Sequence, residues 1–498
     1  MGLPANATIC MVCYRSPFTS NTKDSDMHAF GRFARLAMLV TIVVVAGAAM
    51  LVAAPAPSAE SAATRPYLMA MGGLQAVPNG QEPLYKINTP LASLAAEADI
   101  VYLHLELYGI PWDEFAVGPE PPAAHPWTVI MNGLAQQHAT TGRPAYLGLL
   151  LGRMKLAQRA ENNNGALRLN DNWAPSCFDF GGSSTSPADA LTKRTAYLRY
   201  VQWMMATFNP KYVGVTIEIN DYWENCTFKG EPVSEWNAFA EVSNAAYAAA
   251  KAARSDAWVF PTFNANALYG YYVLSEQCAK PMTNQQCTSL VTAHYDSAYA
   301  AITGLQRDRF GLSAWPYLAQ TYDQRARTSN GRAFMTVSAI PSDYFTRAAA
   351  RGAERTFISE TGWNSDNLIL KASPITPCTT YIASSLKAQG DYLDLIFNKA
   401  QSGGIDAIAW WSNRDAIPQN VMTGCYTYAT GPTYSACNGD IWCVQINFFR
   451  EAFPTNPSFG ELVFKAWGTN GIRRYDGSTK STSYTKWTNA LATPYAAP

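Results

Sequence analysis

The sequence predicts an α/β protein, a (β/α)8 (TIM) barrel with long disulfide-bearing βα loops, on three observations. Eight short apolar runs recur along residues 66–498. Ala-rich stretches of helical periodicity alternate with them, and the cysteines gather after the runs. The runs read as strands are Tyr67–Met71, Ile100–Leu107, Ala145–Leu151, Tyr212–Ile219, Ala257–Phe263, Phe310–Ala314, Arg355–Ser359 and Ile405–Trp411. Segments such as Trp236–Arg254 and Ile382–Gln401 read as the helices between them. Strand alternating with helix makes parallel β-α units. A doubly wound sheet is the competing arrangement. Gly72-Gly73 follows the first run, but no G-x-G-x-x-G or Walker pattern appears.

Taken in order, the runs differ in what their ends carry. The second alternates polar and apolar residues, so Tyr102, His104 and Glu106 share one face and should point into the barrel near its mouth. Glu106 is a candidate substrate ligand, and His104 reads as a satisfied core residue. The third run is followed by a long loop, Gly152–Ala188. The fourth reads Val213-Gly-Val-Thr-Ile-Glu218-Ile-Asn220, and the seventh Thr356-Phe-Ile-Ser-Glu360. A carboxylate at the end of a strand buried on both faces is expensive unless it has a task. Strands four and seven lie across a barrel from each other, so Glu218 and Glu360 should face across its mouth. Two facing carboxyls suit glycoside hydrolysis, one protonating the leaving oxygen and the other attacking the anomeric carbon. The bland reading makes each glutamate half of an ion pair, to Arg153 or Arg355.

Aromatics cluster at the strand ends: Trp112, Tyr222, Trp223, Trp315, Trp363, Trp410 and Trp411. Sugar C–H faces pack on such rings. Asn264 and Asn266 after the fifth run, and Asn364 after the seventh, are candidate hydroxyl contacts. The eighth run opens a second long loop, about residues 412–467.

Composition bounds the rest. The chain of 498 residues carries 37 basic and 37 acidic side chains, which gives no basic footprint for nucleic acid. Its 14 Trp, 27 Tyr and 21 Phe exclude a disordered protein. Residues Leu36–Ala54 form an apolar run preceded by Arg32 and Arg35 and followed by Pro55-Ala-Pro-Ser-Ala59. That order is an export signal, or an uncleaved membrane anchor. Residues 1–35 are then a cytoplasmic head or a mis-assigned start, with Met27 as the alternative first residue. Residues 36–65 are the signal or anchor with its cleavage region, and 66–498 one barrel. The expected location is secreted, periplasmic or cell-surface. The only membrane contact expected is through that apolar segment, and no protein partner is implied. Eight cysteines after Ala59 suggest disulfides of open connectivity. With five histidines in the chain and no C-x-x-C pair after Ala59, neither a metal nor another cofactor is expected. A Ser hydrolase is disfavoured by the lack of G-x-S-x-G.

These islands resemble the clan A glycoside hydrolases, retaining (β/α)8 enzymes with glutamates ending strands four and seven. Glu360-Thr-Gly-Trp363 resembles the nucleophile motif of families 17 and 53. Phe310-Gly-Leu-Ser-Ala-Trp-Pro-Tyr317 is similar to the sixth strand of family 53, with Trp315-Pro316 where Tyr-Pro is usual. Gly404-Ile-Asp-Ala-Ile-Ala-Trp-Trp411 looks like the eighth strand, whose Trp lines a sugar subsite, and Gly471-Ile-Arg-Arg-Tyr-Asp-Gly477 like the closing segment. The resemblance implies Glu218 as general acid/base, Glu360 as nucleophile and a covalent glycosyl-enzyme intermediate. The family usually places Asn just before the acid/base, on the sugar 2-hydroxyl. Here Ile217 stands there, and Asn220 would supply the amide if the strand continues. The expected substrate is a polysaccharide or glycoconjugate. The alternatives are a barrel that binds carbohydrate without catalysis, which Ile217 favours, and a transglycosylase.

Overall fold

The computed structural model describes residues 63–76, 85–105, 108–150, 158–172, 177, 180–181, 186–428, 435–453 and 455–497. Eight parallel strands close into a barrel in chain order, the last pairing with the first. They are β1 (Leu68–Met71), β2 (Ile100–His104), β3 (Ala145–Gly148), β4 (Tyr212–Thr216), β5 (Trp258–Asn264), β6 (Phe310–Ala314), β7 (Thr356–Thr361) and β8 (Ile405–Trp410). One helix from each connection packs outside: α1 (Leu91–Ala96), α2 (Pro126–Ala139), α3 (Pro187–Phe208), α4 (Val233–Ala253), α5 (Asn284–Ile302), α6 (Arg347–Arg351), α7 (Leu386–Gln401) and α8 (Ser481–Ala492). This is the predicted (β/α)8 barrel. Helix starts follow local chemistry. Ser186 caps α3, Ser385 caps α7, and Thr283 with Gln286 forms a capping box on α5.

Rings from several strands fill the interior. Tyr102 stacks on Tyr146 at 4.7 Å, Tyr146 meets Phe357 at 4.9 Å, and Phe357 meets Phe260 at 4.7 Å. The barrel is therefore a packed core with a floor of aromatics. At its amino-terminal end, Arg309 and Arg355 both pair with Asp406 at the start of β8. Arg355 is thus engaged at the opposite end from Glu360, which removes one of the two arginines of the bland reading. Arg153 lies outside the described residues.

The carboxyl-terminal side carries the elaborations. Antiparallel hairpins follow β1 (Leu74–Ala76 with Tyr85–Ile87), β3 (Gln158–Asn163 with Ala166–Asn172), β6 (Gln320–Tyr322 with Arg332–Phe334) and β7 (Leu368–Lys371 with Cys378–Ile382). The eight cysteines form four disulfides here: Cys177–Cys226, Cys278–Cys287, Cys378–Cys425 and Cys437–Cys443. Two of them join neighbouring βα loops, their partners 49 and 47 positions apart in sequence. In the chain-entropy account each such closure stabilises by about 4 kcal/mol, against about 2 for the six-residue Cys437–Cys443 loop. Disulfides persist in oxidising compartments. The apolar segment Leu36–Ala54 lies outside the described residues. No described helix is long and apolar enough to cross a membrane.

The loop after β8 has its own buried core. Helices Ile441–Ala452 and Pro457–Lys465 fold against the β7 hairpin around a charged trio. Glu461 accepts from Lys465 Nζ at 2.8 Å and from Arg450 at 2.5 Å, and all three side chains are almost wholly buried. Lys465 Nζ also donates to the carbonyls of Ile369 and Gly424, at 2.8 and 3.0 Å.

Candidate active site

Both strand-end glutamates depend on a local break in strand geometry. In β7, Phe357 points into the aromatic floor, so strict alternation would turn Glu360 outward towards the helices. A register shift intervenes: Ile358 pairs with Leu312 but Glu360 with Ser313, which leaves Ser359 as the extra residue of a bulge. Glu360 thereby faces inward, 3% exposed. A comparable shift between Gly214 and Thr216 marks β4, which ends at Thr216. Glu218 follows with φ of 52°, in the left-handed region that disfavours any residue with a Cβ. Its backbone N–H donates to Thr262 Oγ1 of β5 at 2.8 Å, which holds the turn against the barrel rim. Glu218 is 1% exposed.

Ser313, near the end of β6, stands between the two carboxylates. Its hydroxyl lies 2.7 Å from Glu218 Oε1 and 3.4 Å from Glu360 Oε2. The two oxygens therefore lie no farther apart than those lengths laid end to end, about 6 Å. Trp315 donates its indole N–H to the same hydroxyl at 3.1 Å. On the other side, His104 Nδ1 sits 3.7 Å from Glu360 Oε1 and shares a 2.5 Å hydrogen bond with Tyr102. Trp411 walls this group, its ring 4.8 Å from His104 and 5.7 Å from Trp315. A close backbone approach admits it: a Cβ at Gly72, next to β1, would fall 2.0 Å from the Trp411 carbonyl oxygen. Ile217 is buried over Gly148, where a Cβ would meet it at 3.0 Å and His104 at 3.3 Å.

The structure thus gathers Glu218, Glu360, Trp315 and Trp411 of the predicted residues. Others it corrects. Trp410 points into the helix layer, between Tyr392 and Trp487, with its N–H on the Asn470 carbonyl at 2.8 Å. Trp363 packs at a tilt against Tyr392 and donates to Ser384 Oγ at 3.0 Å, again away from the carboxylates. Both are core residues, because alternation and the bulge in β7 spend their rings on the helices. Asn264 caps the turn after β5 by accepting from the N–H groups of Asn266 and Ala267. Asn364 is held by Ala466 and Thr469. Trp223 lies half-buried in the π-turn Trp223–Thr227, 5.8 Å from Trp236. Glu106 is outside the described residues.

Asn220 is corrected in its premise. The strand does not reach it, and its amide is spent on the backbone of Asn264, accepting from N–H at 2.8 Å and donating to C=O at 3.0 Å. It extends the β4–β5 pairing by one side chain. Asn220→Ala should therefore lower stability by about 1–3 kcal/mol, read from denaturant unfolding.

Sequence reasoning missed Ser313 and the placement of His104 beside Glu360. Ser313 left a signal, as the one hydroxyl in the otherwise apolar run Phe310–Ala314. Among the described residues, no cluster of three or more His, Cys, Asp or Glu side chains could hold a metal.

No family model and no curated protein matches the sequence. Solved structures resemble it at low identity. A GH5_18 protein from Bifidobacterium longum is 10% identical, with a TM-score of 0.45 over 86% of this chain and 80% of its own. A GH5_18 protein from Streptomyces cattleya, solved with GlcNAc, is 11% identical at 0.46 over 88% and 83%. The exo-beta-1,4-mannosidase Op5Man5 from Opitutaceae bacterium strain TAV5 is 13% identical at 0.47 over 87% and 60%. Likeness at this level says nothing of chemistry, which has to come from the side chains.

Proposed function

We propose that this protein is an exported glycoside hydrolase that cleaves O-glycosidic bonds of a polysaccharide or glycoconjugate with retention of configuration. Glu360 is the nucleophile and Glu218 the general acid/base. One observation carries this reading: two buried carboxylates at the mouth of the barrel share a single hydroxyl, with facing oxygens within about 6 Å. Retaining enzymes hold their carboxyls about 5–5.5 Å apart, and inverting ones leave about 6.5–9.5 Å for a water. The close spacing supports direct attack by one carboxylate while the other protonates the departing oxygen. Trp315 and Trp411 beside the pair suit the apolar face of a sugar ring. The four disulfides support export.

The test is a panel of nitrophenyl glycosides and oligosaccharides, with the first-formed anomer followed by proton NMR. Retention with at least one substrate is the expected result. Inversion would overturn the mechanism. Binding across the panel without turnover would make the barrel a carbohydrate-binding protein instead.

A further inference from the structure

The contacts around Ser313 cannot all be satisfied while both glutamates are ionised. It has one hydrogen to donate and two lone pairs with which to accept. The Trp315 indole can only donate, so one lone pair is taken by its N–H at 3.1 Å. One hydrogen and one lone pair remain, facing Glu218 Oε1 at 2.7 Å and Glu360 Oε2 at 3.4 Å. If Glu218 is ionised, the Ser313 hydrogen belongs to Glu218. If Glu218 is protonated, its own O–H can fill the remaining lone pair, and the Ser313 hydrogen turns to Glu360.

We propose that Ser313 is a positioning residue whose hydroxyl donates to whichever of the two glutamates carries the charge as the reaction proceeds. The proposal rests on the hydrolase reading above and deepens it. Before attack, Glu360 is ionised and takes the Ser313 hydrogen, while protonated Glu218 donates to Ser313. In the first step a bond forms from a Glu360 oxygen to the anomeric carbon. The bond from that carbon to the leaving oxygen breaks, and the leaving oxygen takes the Glu218 proton. The charge has then moved from Glu360 to Glu218, and the Ser313 hydrogen swings to Glu218. Water attack reverses the sequence: the water oxygen bonds to the anomeric carbon as Glu218 takes its proton, the bond from that carbon to Glu360 breaks, and Glu360 leaves as a carboxylate. No proton passes through Ser313; its hydrogen only changes direction. Trp315 fixes the oxygen about which it turns.

This arrangement acts on both titrations with opposite sign. A hydrogen bond given to a carboxylate favours its ionised form, and one accepted from a carboxyl O–H favours its protonated form. Ser313 therefore widens the pH window in which one glutamate is ionised and the other protonated. The test is a carboxyl titration of the substrate-free protein carrying 13C-labelled glutamate, with signals assigned from Glu218→Gln and Glu360→Gln. In Ser313→Ala the two midpoints should approach each other by about one pH unit, and both limbs of the kcat/KM profile should move inwards. Trp315→Phe, which keeps an aromatic ring but removes the N–H, should move them the same way by less. A structural role alone would lower the height of the profile and leave its limbs in place. Unmoved midpoints in Ser313→Ala would overturn the proposal, whatever happens to turnover. Midpoints that close up in a protein cleaving no glycoside would sink the hydrolase reading and leave the proton-sharing one standing.

Discussion

Glu360→Gln will reduce kcat/KM by about a thousandfold or more while leaving the folded structure intact. The argument is one of shape against charge. Glutamine fills the same volume, so the contacts with Ser313 and the proximity to His104 survive in outline. What goes is the nucleophilic oxygen, and with it the only route to a covalent intermediate in the proposed mechanism. A thousandfold is about 4 kcal/mol of lost transition-state stabilisation, a size that misplacement alone seldom reaches. The measurement is steady-state turnover of the best panel substrate, with a thermal melt to show equal folding. Activity within tenfold of the parent protein would remove Glu360 from the proposed role.

Lys465→Met has its effect on stability, about 3–5 kcal/mol lost. Lys465 is completely buried and makes three bonds, to Glu461 and to the carbonyls of Ile369 and Gly424. Burial pushes its ammonium down from the usual lysine range, against the pull of Glu461. Methionine would leave Glu461 with Arg450 alone and two carbonyls without this donor. The loss is read as a lower denaturant midpoint. Protease nicking in the segment after β8 should also appear at lower denaturant than in the parent. A midpoint unchanged within experimental scatter would mean that the trio contributes nothing net, as exposed pairs commonly do.

The sequence was legible where one physical rule acts alone. Apolar runs alternating with helical periodicity place all eight strands, since a parallel strand covered on both faces has to be apolar. Glu218 and Glu360 stood out because a carboxylate ends each run. Side-chain direction was less legible. Period-two alternation takes Asn220 along an unbroken strand, whereas β4 ends at Thr216 and Glu218 takes a left-handed φ. The bulge at Ser359 is equally invisible in Thr356-Phe-Ile-Ser-Glu360, because nothing in those residue types demands it. Tryptophans defeated the reading for another reason. Trp410 and Trp411 are adjacent and alike, yet one faces the helices and the other the carboxylates. Disulfide pairing depends on which loops lie side by side, and spacing does not carry that.

The backbone at Glu218 bears on how such a site would be lost over time. A left-handed φ at a residue with a Cβ costs about 1–3 kcal/mol, borne at every moment by the folded protein. On the proposed mechanism, the use of the carboxylate offsets that strain. Once a lineage stopped needing it, glycine or asparagine at that position would stabilise the chain, and drift would run in that direction. On the proposed mechanism, a glutamate kept in so unfavourable a conformation would be a record of use, written in the main chain.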